Sequence, residues 1–254
     1  MAILDYSPDI WQKSLSLADA DIPRALILEG TWWRENATVN RLARLENVRE
    51  LDFPDMFIGE WRGVTVAYCC AYGAARAVEP AHIFAQLKTP LLIQIGTCGI
   101  LNPAIRPGTV TLPEFCEARD GISSIYGAAE SLTINNKWIA SAERLLQDRG
   151  VDTKSTRHLT WPSLFAQSRE MCDTWAERGI ESIDMETTAV VGVADYFNAS
   201  AVSMLSAWDV LEHDKTFLDP LSDVDTARLK SSNNLVFDVA LSLAAIVQSE
   251  SATR

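Results

Sequence analysis

The sequence lacks each device that would tie it to a membrane, a polyanion or an oxidising compartment. No apolar run reaches the about 18 residues that a membrane span needs, and the opening stretch MAILDYSPDIWQKS sets Asp5, Asp9 and Lys13 where a secretory leader carries its apolar segment. The five cysteines, Cys69, Cys70, Cys98, Cys116 and Cys172, are odd in number and form no Cys-x-x-Cys or Cys/His spacing, so neither a disulfide framework nor a metal site is expected. Reduced thiols fit a cytoplasmic protein. Basic charge is scarce, with 22 Lys plus Arg against 34 Asp plus Glu and a net charge of -12. Such a mean field repels nucleic acid. A small anion such as phosphate is still admissible, because a few local cations and backbone N–H groups outweigh distant charge. Gly-x-Gly-x-x-Gly and Gly-Lys-Ser/Thr are both missing, which excludes a dinucleotide fingerprint and a P-loop. No internal repeat or Pro/Ser-rich linker divides the chain.

What is present is apolar material for a sizeable core, 48% of 254 residues, arranged as short β-rich runs alternating with longer amphipathic stretches. That alternation predicts an α/β fold in one domain over residues 1–254. Strands are expected at Ala25–Leu28, Val64–Cys70, Leu91–Ile95, Thr109–Leu112, Ser182–Asp184 and Ala201–Leu205. Helices are expected to start near Asn36, Ala77, Asn135, Ser168, Glu186 and Asp223. The stretch Leu235–Val247 contains Asp238 and Ser242, so it is taken as a helix with a buried face and not a span.

Three segments carry chemistry. In LILEGTWWRENATVNRL a strand runs into Gly30, and Arg34 follows at a helix start. A Gly that admits close backbone N–H groups, a helix N-terminus and a two-pronged guanidinium together suit an anion. A plain strand-to-helix turn with a surface Arg and core Trp side chains is the alternative. In LLIQIGTCGILNPAIRPGTVTLP an apolar strand ends in Gly96-Thr97-Cys98-Gly99, at the carboxyl edge where open α/β sheets bind ligands. A tight turn without a ligand would look the same.

In ESIDMETTAVVGVADYFNASAVSMLSAWDVLEHD a strand delivers Asp184-Met185-Glu186 into a helix, and a second strand ends at Asp209. Glu186 shares one helical stripe with Val190, Val193, Ala194 and Phe197, so it faces the interior; a first-turn Glu on the helix dipole is the alternative. Asp209 lies between Ala207-Trp208 and Val210-Leu211. Apolar neighbours raise a carboxyl pKa and favour a neutral proton donor, although a loop Asp can also serve as a cap.

Taken in order, these segments resemble the nucleoside phosphorylase superfamily, which includes purine nucleoside phosphorylase, uridine phosphorylase and methylthioadenosine nucleosidase. Gly30 to Arg34 resembles the family's Gly-Asp-Pro-x-Arg phosphate loop, IGTCGIL its Ile-Gly-Thr-x-Gly strand end, and DMETTAV its Met-Glu ribose motif. Glu186 and Asp209 are 209 minus 186, or 23, positions apart, the spacing of the ribose Glu and catalytic Asp in the purine-cleaving branch. The resemblance implies a three-layer α/β/α sandwich around a mixed, partly barrel-like sheet. It assigns Gly30, Arg34, Gln94 and Thr97 to phosphate, Met185 and Glu186 to ribose, and Asp209 to the leaving base; Trp161 or Phe165, in TWPSLFAQ, would stack on that base. It further implies no cofactor beyond inorganic phosphate as co-substrate, and a homo-oligomer, a dimer or a hexamer, whose subunits complete each other's pockets.

Two departures bear on the nucleophile. Gln94 stands where the family's phosphorylases carry Arg, and Thr31-Trp32-Trp33 replaces the Asp-Pro of the first loop. Glu35 falls close to where the superfamily's nucleosidases place an acid that handles water. The expected reaction is phosphorolysis of a nucleoside, purine favoured, with hydrolysis as the competitor and a non-catalytic nucleoside-binding protein as a remote third reading. Which of His82, His158 and His213 approaches an active site is open at this level.

Overall fold

A computed structural model describes residues 3–211 and 218–252. In chain order the elements are α1 (Pro8–Ser14), β1 (Ala25–Gly30), α2 (Arg34–Leu42), β2 (Glu46–Glu50), β3 (Met56–Trp61), β4 (Val64–Cys70), α3 (Ala74–Gln86), β5 (Leu91–Ile100) and β6 (Val110–Ala118). They continue with β7 (Ser131–Thr133), α4 (Lys137–Gln147), β8 (Thr153–Thr160), α5 (Arg169–Glu177), β9 (Ser182–Asp184), α6 (Thr187–Tyr196), β10 (Ser200–Val210) and α7 (Asp223–Ala252).

The strands join in the order β10-β6-β8-β9-β5-β1-β4-β3-β2, and a further pairing of β10 with β5 closes the first five into a ring. Three joints of that ring are parallel and two, β10 with β6 and β5 with β9, contribute antiparallel pairs. The sheet is thus mixed and partly a barrel, as the resemblance implies. Strand β1 lies between β4 and β5, parallel to both. All six of its residues are buried, as expected for a parallel strand covered on two faces. Helices α3 and α6 pack on one another, as do α4 and α7, and each pair also meets the sheet.

The anticipated strands are present, and several run longer than their apolar stretch: β5 extends to Ile100, β6 to Ala118 and β10 to Val210. In each case the extension carries polar or small residues to the sheet's rim. Five elements, α1, β2, β3, β7 and β8, go unannounced in the sequence. β8 is the instructive one. Its sequence TKSTRHLT shows no apolar alternation, because its inward residues Thr156, His158 and Thr160 are buried and polar. Helix α7 buries Val236, Phe237, Val239, Ala240, Leu241, Leu243 and Ala244, the covered face expected of Leu235–Val247. No helix among the described residues is long and apolar enough to cross a membrane.

Candidate active site

The carboxyl ends of β1, β5 and β10 converge on one cavity of about 410 Å³. Its lining includes Gly30, Thr97, Gly99, Met185, Glu186 and Asp209, with Trp32, Trp33, Tyr72, Phe165 and Trp208 as aromatic walls. The floor depends on a close approach. Gly30 and Gly96 are register partners on β1 and β5, and a Cβ on Gly96 would sit 2.6 Å from the Gly30 carbonyl oxygen. Only a residue without a side chain admits that distance.

Glu186 occupies the N-cap position of α6 without a side-chain capping bond to that helix and is 4% exposed. Its Oε1 accepts the Gly73 N–H at 2.5 Å, and a Cβ on Gly30 would meet its Oε2 at 2.7 Å, so the carboxyl lies directly over the first loop's glycine. Burial, and secondarily the charge of Asp184, push its pKa to about 8 despite the bonds from backbone N–H groups. Asp209 reaches the other end of the cavity through a fault in the sheet. Ala207 pairs with Cys98 and Asp209 with Gly99, so Trp208 is the extra residue of a bulge. Bulges beside sites re-aim side chains, and this one leaves Asp209 Oδ1 3.7 Å from where a Gly99 Cβ would be. Burial raises the Asp209 pKa to about 6, the direction that its apolar flanks imply.

Both shifts make a stability statement. A carboxyl whose folded pKa is raised favours the native state when protonated. Its contribution is complete below its ordinary value and is lost as pH rises to the folded value. For Glu186 that window runs from about 4.5 to about 8. Thermal unfolding followed from pH 4.5 to 8 is expected to show Tm falling in the parent and falling less in Glu186→Gln; equal slopes would count against a protonated Glu186.

Behind Glu186 lies a polar network that the sequence did not suggest. Asp184 Oδ1 is 2.9 Å from His158 Nε2 and accepts the Thr160 hydroxyl at 2.9 Å. Its Oδ2 accepts the N–H and hydroxyl of Thr187 at 2.9 and 2.6 Å. Burial opposes the Asp184 charge, yet His158 and the hydroxyl donors hold its pKa below the usual carboxylate range. His158 is wholly buried and its Nδ1 meets Ser182 Oγ at 2.8 Å. Its isolated place in the sequence gave no sign of this; the alternation of polar residues in Thr156, His158 and Thr160 was the available signal. His82 instead packs among Trp11, Tyr126 and Phe197, and His213 lies outside the described residues.

Of the anticipated site residues, Gly30, Thr97, Met185, Glu186, Asp209 and Phe165 line the cavity. Four are placed elsewhere. Arg34 points to the surface, its side chain 63% exposed and its Nη1 3.0 Å from Asp55 Oδ2, because α2 turns its first residues outward. Glu35, beside it, is exposed for the same reason. Gln94 is buried beneath the floor at 1% exposure, with its Oε1 3.0 Å from the Thr187 hydroxyl. Trp161 packs against Trp175 at 5.2 Å between ring centroids and donates its indole N–H to the Ala166 carbonyl, so it belongs to a satellite core and Phe165 alone of the two is at the cavity. Among the described residues no cluster of three or more His, Cys, Asp or Glu side chains is arranged for a metal ion.

Residues 26–239 match the model of the phosphorylase superfamily. The chain belongs to that family. Among curated proteins, this phosphorylase-superfamily chain is 27% identical over 139 residues to a DeoD-type purine nucleoside phosphorylase of Caldanaerobacter subterraneus subsp. tengcongensis. That match covers 50% of this chain and 60% of the relative. It is 26% identical over 162 residues to the DeoD-type enzyme of Geobacillus kaustophilus, covering 60% and 66%. The chain thus spans about 60% of the length of the first of these relatives. Uridine phosphorylase from Vibrio fischeri ES114 has the same fold, with a TM-score of 0.74 over 91% of this chain and 94% of that one at 17% identity.

Proposed function

We propose that this chain cleaves the N-glycosidic bond of a nucleoside, a purine nucleoside first, by phosphorolysis to free base and ribose 1-phosphate. The observation that carries the reading is that Glu186, buried, and Asp209, half-buried, two carboxyls with raised pKa values, share one cavity at the sheet's carboxyl edge. A volume of about 410 Å³ falls in the range of small-ligand sites. Glycosidic cleavage develops positive charge on the sugar and negative charge on the departing base. Glu186 serves the ribose hydroxyls, with Met185 against the sugar, and a protonated Asp209 donates to the base as general acid. Phe165, edge-on to Trp32 at 5.8 Å, offers a face to the base.

Phosphate would rest between Gly30 and Thr97. Arg34 would join it by leaving Asp55, a small cost because an exposed ion pair contributes only about 0–1 kcal/mol. The DeoD-type relatives, by name purine nucleoside phosphorylases, support the purine preference; a homo-oligomer belongs to the same proposal, and we assign the chain to the cytoplasm from its free thiols.

One observation favours hydrolysis as the second reading. Among the described residues that line the cavity there are three carboxylates, Asp184, Glu186 and Asp209, and no Lys, Arg or His. Release of free base from inosine, adenosine and uridine with and without phosphate decides between them. Phosphorolysis predicts turnover only with phosphate, and undiminished turnover in phosphate-free buffer would establish water as the nucleophile. With either nucleophile, kcat/KM is expected to fall as pH rises through about 6, where Asp209 loses its proton; a flat profile from pH 5 to 8 would remove Asp209 as the acid.

A further inference from the structure

Helix α2 begins at the cavity mouth, and its apolar hold on the core is slight, the partly buried Leu42 at its far end. Trp33 is its N-cap, and Trp32 and Trp33 form a wall of the cavity. Arg41 is its sole buried residue, and Val39 is 66% exposed. A helix normally docks through an apolar stripe; this one adds to Leu42 a buried guanidinium, that of Arg41.

Arg41 Nε donates to Glu29 Oε2 and Nη2 to Glu29 Oε1, both at 2.9 Å. The pair is buried, Glu29 1% and Arg41 5% exposed. Glu29 sits on β1 immediately before Gly30, and its Oε2 also accepts the Tyr68 hydroxyl at 2.9 Å. The rest of the guanidinium turns to α7. Nη2 donates to the Asn233 carbonyl at 2.9 Å and Nη1 to Asn234 Oδ1 at 3.2 Å, and Cζ stands 5.1 Å from the centre of the Phe237 ring. One side chain therefore joins β1, α2 and α7. The directional fork fixes the angle of α2 in a way that an apolar contact would not. Trp32 in turn contacts Tyr72 and Phe165, while Trp33 contacts Trp208, the neighbour of Asp209.

We propose that the buried Glu29–Arg41 pair is a positioning device for the active site: by locking α2 to the sheet and to α7, it sets where Trp32 and Trp33 stand at the mouth and so governs substrate binding. Neither residue touches the cavity, and both act through the segment Thr31–Trp33.

The test replaces the pair by apolar groups of similar volume, Glu29→Leu with Arg41→Met and Tyr68→Phe. Such exchanges leave stability near that of the parent. Hydrogen–deuterium exchange is then read on peptides covering 31–42, with no substrate present. Exchange there is expected to quicken about tenfold or more while the strands stay protected. Unchanged exchange at 31–42 overturns the proposal. With inosine and inorganic phosphate, KM is expected to rise roughly tenfold and kcat to change less than about twofold, the split of a binding effect; equal losses in both would also overturn it. Arg41→Lys, which keeps charge and loses the fork, is the second variant should the triple one fail to fold, and its exchange at 31–42 is expected to lie between the two. The kinetic arm rests on the proposed phosphorolysis and the exchange arm does not, so a parent inactive on inosine would count against the reaction and leave the exchange result to judge the anchor.

Discussion

Asp209→Asn is expected to lower base release from inosine by about 10²–10⁴-fold, the usual contribution of a positioned general acid. The amide keeps the shape of the carboxyl and can still donate a hydrogen bond, but it cannot hand over a proton. The same change separates chemistry from folding. Because burial raises the Asp209 pKa to about 6, the parent carries the cost of a desolvated carboxylate above that pH and the neutral variant does not. A Tm at pH 8 equal to or above that of the parent, with turnover nearly gone, is the predicted pair of results. Turnover within twofold of the parent would show that another group serves the leaving base.

Gly96→Ala is expected to damage both fold and site. The added Cβ would be 2.6 Å from the Gly30 carbonyl oxygen, and a backbone oxygen held in a parallel ladder cannot swing aside as a flexible side chain would. Gly96 also has a φ of +155°, at the edge of the region that L side chains avoid. Overpacking and backbone strain each cost about 1–3 kcal/mol. About 3 kcal/mol in total would lower Tm by roughly 6–12 °C in a chain of this size. Gly63 is the control, since its φ of +75° is strained but nothing lies within 4 Å of its would-be Cβ. Base release should fall further in Gly96→Ala than in Gly63→Ala, because the spread of β1 from β5 separates Gly30 from Thr97. Equal Tm shifts in the two variants would show that the strand ends yield freely.

The residues that were legible in the sequence are those whose neighbours along the chain reveal their surroundings. Asp209 between apolar residues and Glu186 on an apolar stripe announce desolvated carboxyls; Glu186 is buried, and Asp209, half-buried, has the raised pKa its flanks imply. Leu91–Ile95 and Val64–Cys70 announce strands by their mostly apolar, β-rich runs, and both are strands. Arg34 matched a motif, Gln94 stood at a motif position in place of an Arg, and Trp161 lay in an aromatic segment, but a position in the sequence states which residue type is present and not where its side chain points. The rotation of α2 sends Arg34 to Asp55, the pleat of β5 sends Gln94 under the floor, and the Ala166 carbonyl holds Trp161 away. Glu29 and His158 were invisible for a different reason. Each is a charged or polar residue made tolerable by a partner far along the chain, Arg41 12 positions away and Asp184 26 positions away, and no local pattern records such a pairing.

The five cysteines are all buried, and burial pushes every one of their thiol pKa values upward. A thiol reagent attacks thiolate and needs access, so the folded chain offers it little. Cys69 and Cys70 on β4, Cys98 on β5, Cys116 on β6 and Cys172 on α5 are instead five timers set at different depths. The order in which they become labelled records which layer of the molecule opens first, without any added probe.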